Sequence, residues 1–357
     1  MKPFHVLSML ILLIAASISV SCKKNGTEPD EQWPADSIRT LKDDLNFPWE
    51  ILWGKDDHIW MTERGGKISK IDPKTGSTVF SATLPDVESR GEGGLLGMVQ
   101  HPEFLSNGYL YVVYNYESGS SYREKVVRLQ FSNNTLNNPL TLIDNIGASS
   151  IHNGSRLLIT PDNKLLITTG DASNSALAQN TSSLNGKILR LNLDGTVPAD
   201  NPVSGNPYWT YGHRNPQGMV LVNNILYASE HGPNVQDEIN IIEKGWNYGW
   251  PDVTTNIKGP IWSSGNGTVA VCGLDYYNHD RIPQWKNSLL MLTLKDATLY
   301  QFPLTNGGQA VGSPKLYFDG RWGRLRDICI SPEGRVYVCT SNGGNNDVLV
   351  EISQPGS

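Results

Sequence analysis

Acids, a histidine and turn-forming residues crowd into one short stretch: Glu230-His231-Gly232-Pro233, then Asp237-Glu238-Ile239-Asn240, then Gly245-Trp246-Asn247-Tyr248-Gly249-Trp250-Pro251. Glycine and proline let a backbone fold back so that its own carbonyls point inward, and carboxylates add harder oxygens nearby. Those are the donors a hard cation such as calcium takes. A well-packed loop with a salt bridge would use the same residues. Upstream, Tyr211-Gly212-His213-Arg214-Asn215-Pro216-Gln217-Gly218 and Ile151-His152-Asn153-Gly154-Ser155-Arg156-Leu157 set a histidine or an arginine beside turn residues. His152, followed by Asn153-Gly154, reads as a sharp exposed bend, and imidazole titrates where a general base is useful. Near the C-terminus, Arg324 and Arg326 alternate on a predicted strand. Alternation puts both side chains on one face, and two cations there require an anion between them.

These residues need a scaffold, and the chain repeats one phrase: a turn, an apolar alternating strand, a loop and a second strand carrying a charge. The turns fall at 56, 107, 162, 224, 287 and 333, a mean spacing of about 55 residues. A period of that size, built from short strands, predicts a blade of a β-propeller. Strong helical periodicity is absent, and 35 glycines with 21 prolines suit a turn-rich all-β chain. The expected fold is therefore an all-β, six-bladed β-propeller of four-stranded antiparallel blades. The longest intervals, from 162 to 287, hold the chemical motifs, so long loops are expected over one end of the central channel.

Composition narrows the partners. The net charge is −6 and no basic run occurs beyond Lys23-Lys24, which argues against nucleic acid. Lys2, the apolar run Val6 to Ala16 and the small residues before Cys22 read as a signal peptide over 1–21. Its lipoprotein form would be acylated at Cys22. The expected organisation is that signal, a flexible tether over 22–40, and a propeller over 41–357. Export to the periplasm or cell envelope follows, with membrane contact only through the lipid anchor. Cys272, Cys329 and Cys339 include no Cys-x-x-Cys pair, so zinc and iron–sulfur sites are disfavoured and buried free thiols are expected. No Gly-x-Gly-x-x-Gly loop follows a strand, which removes the usual nicotinamide dinucleotide fingerprint.

Taken in order, the three turn-rich segments, Gly93-Gly94-Leu95-Leu96-Gly97 and Gly323-Arg324-Leu325-Arg326-Asp327 resemble the pyrroloquinoline quinone (PQQ)-dependent soluble glucose and aldose sugar dehydrogenases. The similarity runs from about Leu45 to Ile352, and the length is closer to the shorter aldose sugar dehydrogenases. The resemblance implies oxidation of aldoses at C1 to lactones, with hydride passed to PQQ and electrons to an external acceptor it does not identify. It makes His152 the base and sets Arg214 against the quinone, with Asn215 at the cofactor rim. Lys295, Arg324 and Arg326 would hold the cofactor's carboxylates. Calcium would be held by carbonyls of Gly232 and Pro233, with Glu238 and Tyr248 matching a second calcium position. A monomer is expected, since the loops that make the glucose enzymes' dimer contact do not carry over.

Two positions depart from the family pattern. Glu92 stands where the glucose enzymes carry glutamine, and a carboxylate beside an anionic cofactor is repulsive unless it is protonated or turned away. Lys258 stands where some members place an aspartate of the second metal site. The alternatives are a calcium-dependent propeller lactonase or hydrolase, and a non-catalytic propeller that binds glycan or protein. The first needs side-chain carboxylates or amides from several blades on one metal; the second has no use for the His152, Arg214, Lys295, Arg324 and Arg326 set.

Overall fold

Each recurring turn marks the hairpin between the first and second strands of a blade. In the computed structural model, Asp57, Gly108, Asn163, Asn224, Asn287 and Gly334 all hold positive φ at these turns. Asn, Asp and Gly tolerate that conformation with the least steric cost. The structure describes Met1 and residues 37–354; the signal over 1–21, Cys22 and most of the expected tether lie outside the described residues.

Six antiparallel sheets result. Blade one comprises Pro48–Trp53, Ile59–Glu63, Lys67–Ile71 and Thr78–Thr83. Blade two comprises Leu95–Gln100, Tyr109–Ser118, Ser121–Ser132 and Thr135–Gly147. Blade three comprises Gly154–Ile159, Lys164–Thr169, Lys187–Asn192 and Tyr208–Tyr211, and blade four Pro216–Val222, Ile225–Glu230, Glu238–Ile242 and Trp262–Ser263. Blade five runs through Val271–Tyr277, Ser288–Thr293 and Leu299–Thr305, its outer edge split between Ala310–Val311 and Lys315–Tyr317. Blade six has only three strands from the C-terminal segment, Leu325–Ile330, Val336–Thr340 and Asp347–Ile352. Its fourth is Ile38–Leu45, paired antiparallel with Asp347–Ile352. That pairing closes the ring, and it starts the fold inside the expected 22–40 tether.

Burial explains the repeated phrase and corrects one detail of it. The second strands Ile59–Glu63, Ser288–Thr293 and Val336–Thr340 are buried at every position rather than alternately. A propeller sheet packs against a neighbour on each face, so it needs apolar side chains on both. Six separate apolar clusters lie between successive blades. One of them joins Leu41, Leu45 and Cys339 of blade six to Ile59 and Met61 of blade one. The outermost strand of blade two, Thr135–Gly147, is mostly exposed. Cys272, Cys329 and Cys339 are buried free thiols.

The first strands line the channel, and all six break register near their N-terminal ends, between Pro48/Glu50, Leu95/Met98, Gly154/Leu157, Pro216/Gly218, Val271/Leu274 and Leu325/Asp327. A bulge turns a side chain away from strict alternation. Arg156, Gln217 and Arg326 sit within three of these bulges.

Candidate active site

The bend at His152 is built by its neighbours. His152 has φ 62°, and Gly154 and Ser155 follow at 66° and 80°. The carbonyl of His152 passes so close to Gly170 that a Cβ there would meet it at 1.9 Å, so only glycine fits behind the bend. The ring is then fixed: Nδ1 lies 2.8 Å from Oδ1 of buried Asp171, and Oδ2 of Asp171 accepts the Trp250 indole N–H at 2.8 Å. The main chain of the bend is held as well. The His152 N–H donates to Glu92 Oε2 at 3.2 Å and the Gly154 N–H to Asn215 Oδ1 at 3.0 Å. Asn215 is the residue expected at the cofactor rim, and its side-chain oxygen braces the bend.

Two acids in the Glu230 to Asn240 stretch act as clasps. Glu230 accepts from His213 Nδ1 at 2.7 Å and from the Arg214 backbone N–H. Asp237 accepts the N–H groups of Gly232, Val269 and Ala270 and the Thr268 hydroxyl, all at 2.7–2.9 Å. These bonds tie the Gly232-Pro233 turn to blade five. A Cβ at Gly232 would lie 1.9 Å from the Val235 carbonyl, so the turn is closed onto itself. A cavity of about 550 Å³ opens beside it, bordered by Arg214, His231, Gly232, Pro233, Glu238 and Tyr248.

Glu238 and Tyr248 thus reach the same cavity as Gly232 and Pro233, yet they form a poor second metal site. The Tyr248 hydroxyl is spent, donating to the Ile241 carbonyl at 2.7 Å and accepting the Glu243 N–H at 2.9 Å. Lys258 Nζ pairs with Glu243 Oε1 at 2.6 Å, which brings an ammonium to that side. Burial pushes the Glu238 carboxyl up to about 7, with Glu230 adding to the rise.

The arginines of the C-terminal motif part company. Arg324 precedes its strand and is exposed, whereas Arg326 occupies the bulge and is buried, its Nη1 donating to Gln217 Oε1 at 2.8 Å. Asp327 does not neutralise either of them. It pairs at 2.9 Å with Arg156 of blade three, which also meets Glu50 at 2.6 Å. Lys295 is exposed beyond Ser288–Thr293.

A charged centre links these elements. Burial lowers the pKa of Arg64, Arg214 and Arg326, and drives His231 down to about 3, so its imidazole is neutral near pH 7. Glu92 opposes each of these shifts, which sets its carboxylate among three cations. Its negative charge is therefore balanced by these cations. Nε of Arg64, Arg214 and Arg326 and Nε2 of His231 are all buried with no hydrogen-bond partner. Buried donors left without acceptors cost free energy. Four around one acid are what an oxygen-rich anionic ligand would satisfy. Asp171, Trp250 and Arg64 were not singled out by sequence reasoning. Only Trp250 carried a signal, its place in the Gly-Trp-Pro turn.

Among the described residues no group of three or more His, Cys, Asp or Glu side chains is placed to hold a metal. A family model described as glucose/sorbosone dehydrogenase matches residues 45–350. The chain is 38% identical to quinoprotein glucose dehydrogenase B of Acinetobacter calcoaceticus, over 89% of this chain and 89% of that protein. It is 32% identical to the aldose sugar dehydrogenase YliI of Escherichia coli K12, over 89% and 92% of the two chains. The PQQ-bound aldose sugar dehydrogenase of Streptomyces coelicolor superimposes with a TM-score of 0.77 at 30% identity, covering 90% of this chain and 99% of that one. With the motifs in order, the ring closed and the match spanning nearly all of the propeller, the chain belongs to the glucose/sorbosone dehydrogenase family.

Proposed function

We propose that this protein oxidises aldose sugars at the anomeric carbon to lactones, using bound PQQ and an external electron acceptor. The observation that carries the reading is the set of buried, partnerless donors on Arg64, Arg214, Arg326 and His231 beside the His152–Asp171 pair. The names of the relatives, a quinoprotein glucose dehydrogenase and aldose sugar dehydrogenases, support it. When bound, PQQ supplies a two-electron acceptor and three carboxylates.

The chain's own residues do the rest. With its proton on Nδ1 directed at Asp171, His152 keeps a free lone pair on Nε2, and that atom takes the proton of the sugar's anomeric hydroxyl. Asp171 holds the ring in that tautomer and stabilises the imidazolium that results. Arg214 offers a fixed charge to oxygen that becomes anionic, while Arg326, Arg324 and Lys295 hold carboxylates from blades six and five. Gly232 and Pro233, in a closed turn with Glu230 nearby, fit one calcium ion through their carbonyls. Glu238 and Tyr248 do not fit a second. An exported protein tethered through Cys22 suits a sugar oxidised outside the cytoplasm.

Reconstitution of the cofactor-free protein with PQQ and calcium, followed by dye reduction across a panel of aldoses, tests the reading. Activity should appear with PQQ and calcium together and not with nicotinamide cofactors. Absence of any quinone absorbance change on adding PQQ would overturn it.

A further inference from the structure

Two groups stand out among the buried and half-buried arginines. Arg39, Arg156, Arg190 and Arg335 are each ion-paired with carboxylates at 2.9 Å or closer. Arg64, Arg214 and Arg326 make no ion pair among the described residues, and each buries an Nε without an acceptor. Arg214 and Arg326 belong to the motifs that mark the site. Arg64 does not, yet its surroundings are of the same kind.

Arg64 directly follows Ile59–Glu63. Since Glu63 pairs with Pro48 at the start of the inner strand, Arg64 stands at the site end of blade one. Its main chain is pinned on both sides, the N–H to the Phe47 carbonyl and the carbonyl to the Leu95 N–H, both at 3.0 Å. Its guanidinium lies 3.9 Å over the Phe47 ring, and Nη1 donates to the Gly91 carbonyl, one residue before Glu92. The positive charge of Arg326 disfavours the charge on Arg64, so the two guanidiniums stand near enough to act on each other. A cation stacked on an aromatic ring, fixed at its backbone and still offering a buried donor is organised in advance for an anion. Leaving it without one is costly.

We infer that Arg64 is a further binding residue of this site, a blade-one arginine that receives a ligand carboxylate opposite Arg326. The inference rests on the proposed function, with Glu92 acting as the nearby counter-charge while the ligand is absent. Arg64 thereby draws the first blade into a site whose recognised cations come from blades three to six.

The test uses the full-length protein with calcium, and two probes read by absorbance titration without sugar: PQQ and its trimethyl ester. Arg64→Gln should weaken PQQ binding about tenfold or more, the usual scale for losing a charge-assisted contact. Its affinity for the uncharged ester should stay within twofold of the wild type. Equal PQQ affinity in Arg64→Gln and wild type overturns the inference. So does an equal loss for acid and ester, which indicates a packing role through Phe47 and Gly91. If Arg64→Gln does not fold, Arg64→Lys is measured instead: a several-fold loss for PQQ alone supports the assignment, and an unchanged acid-to-ester ratio overturns it. A wild-type protein that binds no PQQ is a separate result, which removes the proposed function itself.

Discussion

His152 and Asp171 lie 2.8 Å apart, Nδ1 to Oδ1, across a bend that leaves the histidine half-buried and the aspartate fully so. Asp171 also accepts the Trp250 indole N–H, so one carboxylate fixes the His152 ring and a wall residue of the cavity together. The pair sets the tautomer before any substrate arrives.

Replacing His152 with Asn should leave PQQ binding intact and slow reduction of the bound cofactor by sugar. Loss of a placed general base costs about 10²–10⁴-fold in rate. Stopped-flow reduction at saturating aldose measures it; a rate near the wild type's would make the base assignment wrong.

Asp171→Asn should slow the same step, because an amide can present its N–H to Nδ1 and favour the wrong tautomer. An analogous change in a serine-protease triad costs about 10⁴-fold. The double variant with His152→Asn should be little slower than the worse single, since the two act as one unit. Additive losses in the logarithm of the rate would show that Asp171 works independently of His152.

Arg326 and Arg324 should differ. Removing buried Arg326 with alanine should weaken PQQ binding by roughly 2–5 kcal/mol. Removing exposed Arg324 should cost about 1 kcal/mol or less and matter less still in high salt. Calorimetric titration at two ionic strengths separates them. Equal losses, insensitive to salt, would refute this division.

Glu124 gives a pH prediction away from the cofactor. Burial raises its carboxyl to about 8 against an ordinary 4.5, although the Ser155 and Asn115 side chains favour the charged form. The folded state thus holds a proton that the unfolded chain releases. Its contribution to stability is complete below pH 4.5, shrinks as pH rises, and is gone above about 8. Glu124→Gln cannot ionise, so its stability relative to wild type should rise across that window by about 3–5 kcal/mol. Urea melts at pH 5, 7 and 9 check the sign. A stability of Glu124→Gln relative to wild type that falls with rising pH would contradict it.

Calcium removal should act on the Gly232-Pro233 turn. Chelation should lower the melting temperature of the PQQ-loaded protein more than that of the cofactor-free protein, since a ligand stabilises only the state it binds. Differential scanning calorimetry with and without chelator distinguishes this from general destabilisation, in which both forms shift equally.

Local chemistry was enough to read the fold. Turn residues at Asp57, Asn163, Asn224 and Asn287 hold positive φ wherever they occur, so a regular spacing of such turns counted the blades. The bend at His152 was legible for the same reason, since Asn153-Gly154 dictates it within a few residues. What no local pattern contains is the packing of one blade on another. Asp171 meets Trp250 across 79 residues. Arg326 of blade six stands near enough to act on Arg64 of blade one because Ile38–Leu45 closes the ring. Alternation put Arg324 and Arg326 on one face, but Arg326 lies in a bulge at the channel and is buried while Arg324 is exposed, and a bulge depends on the partner strand. The residue types therefore announced cationic and acidic chemistry. Only the closed ring of six packed interfaces decided which charges are paired, which are buried, and which are left for a ligand.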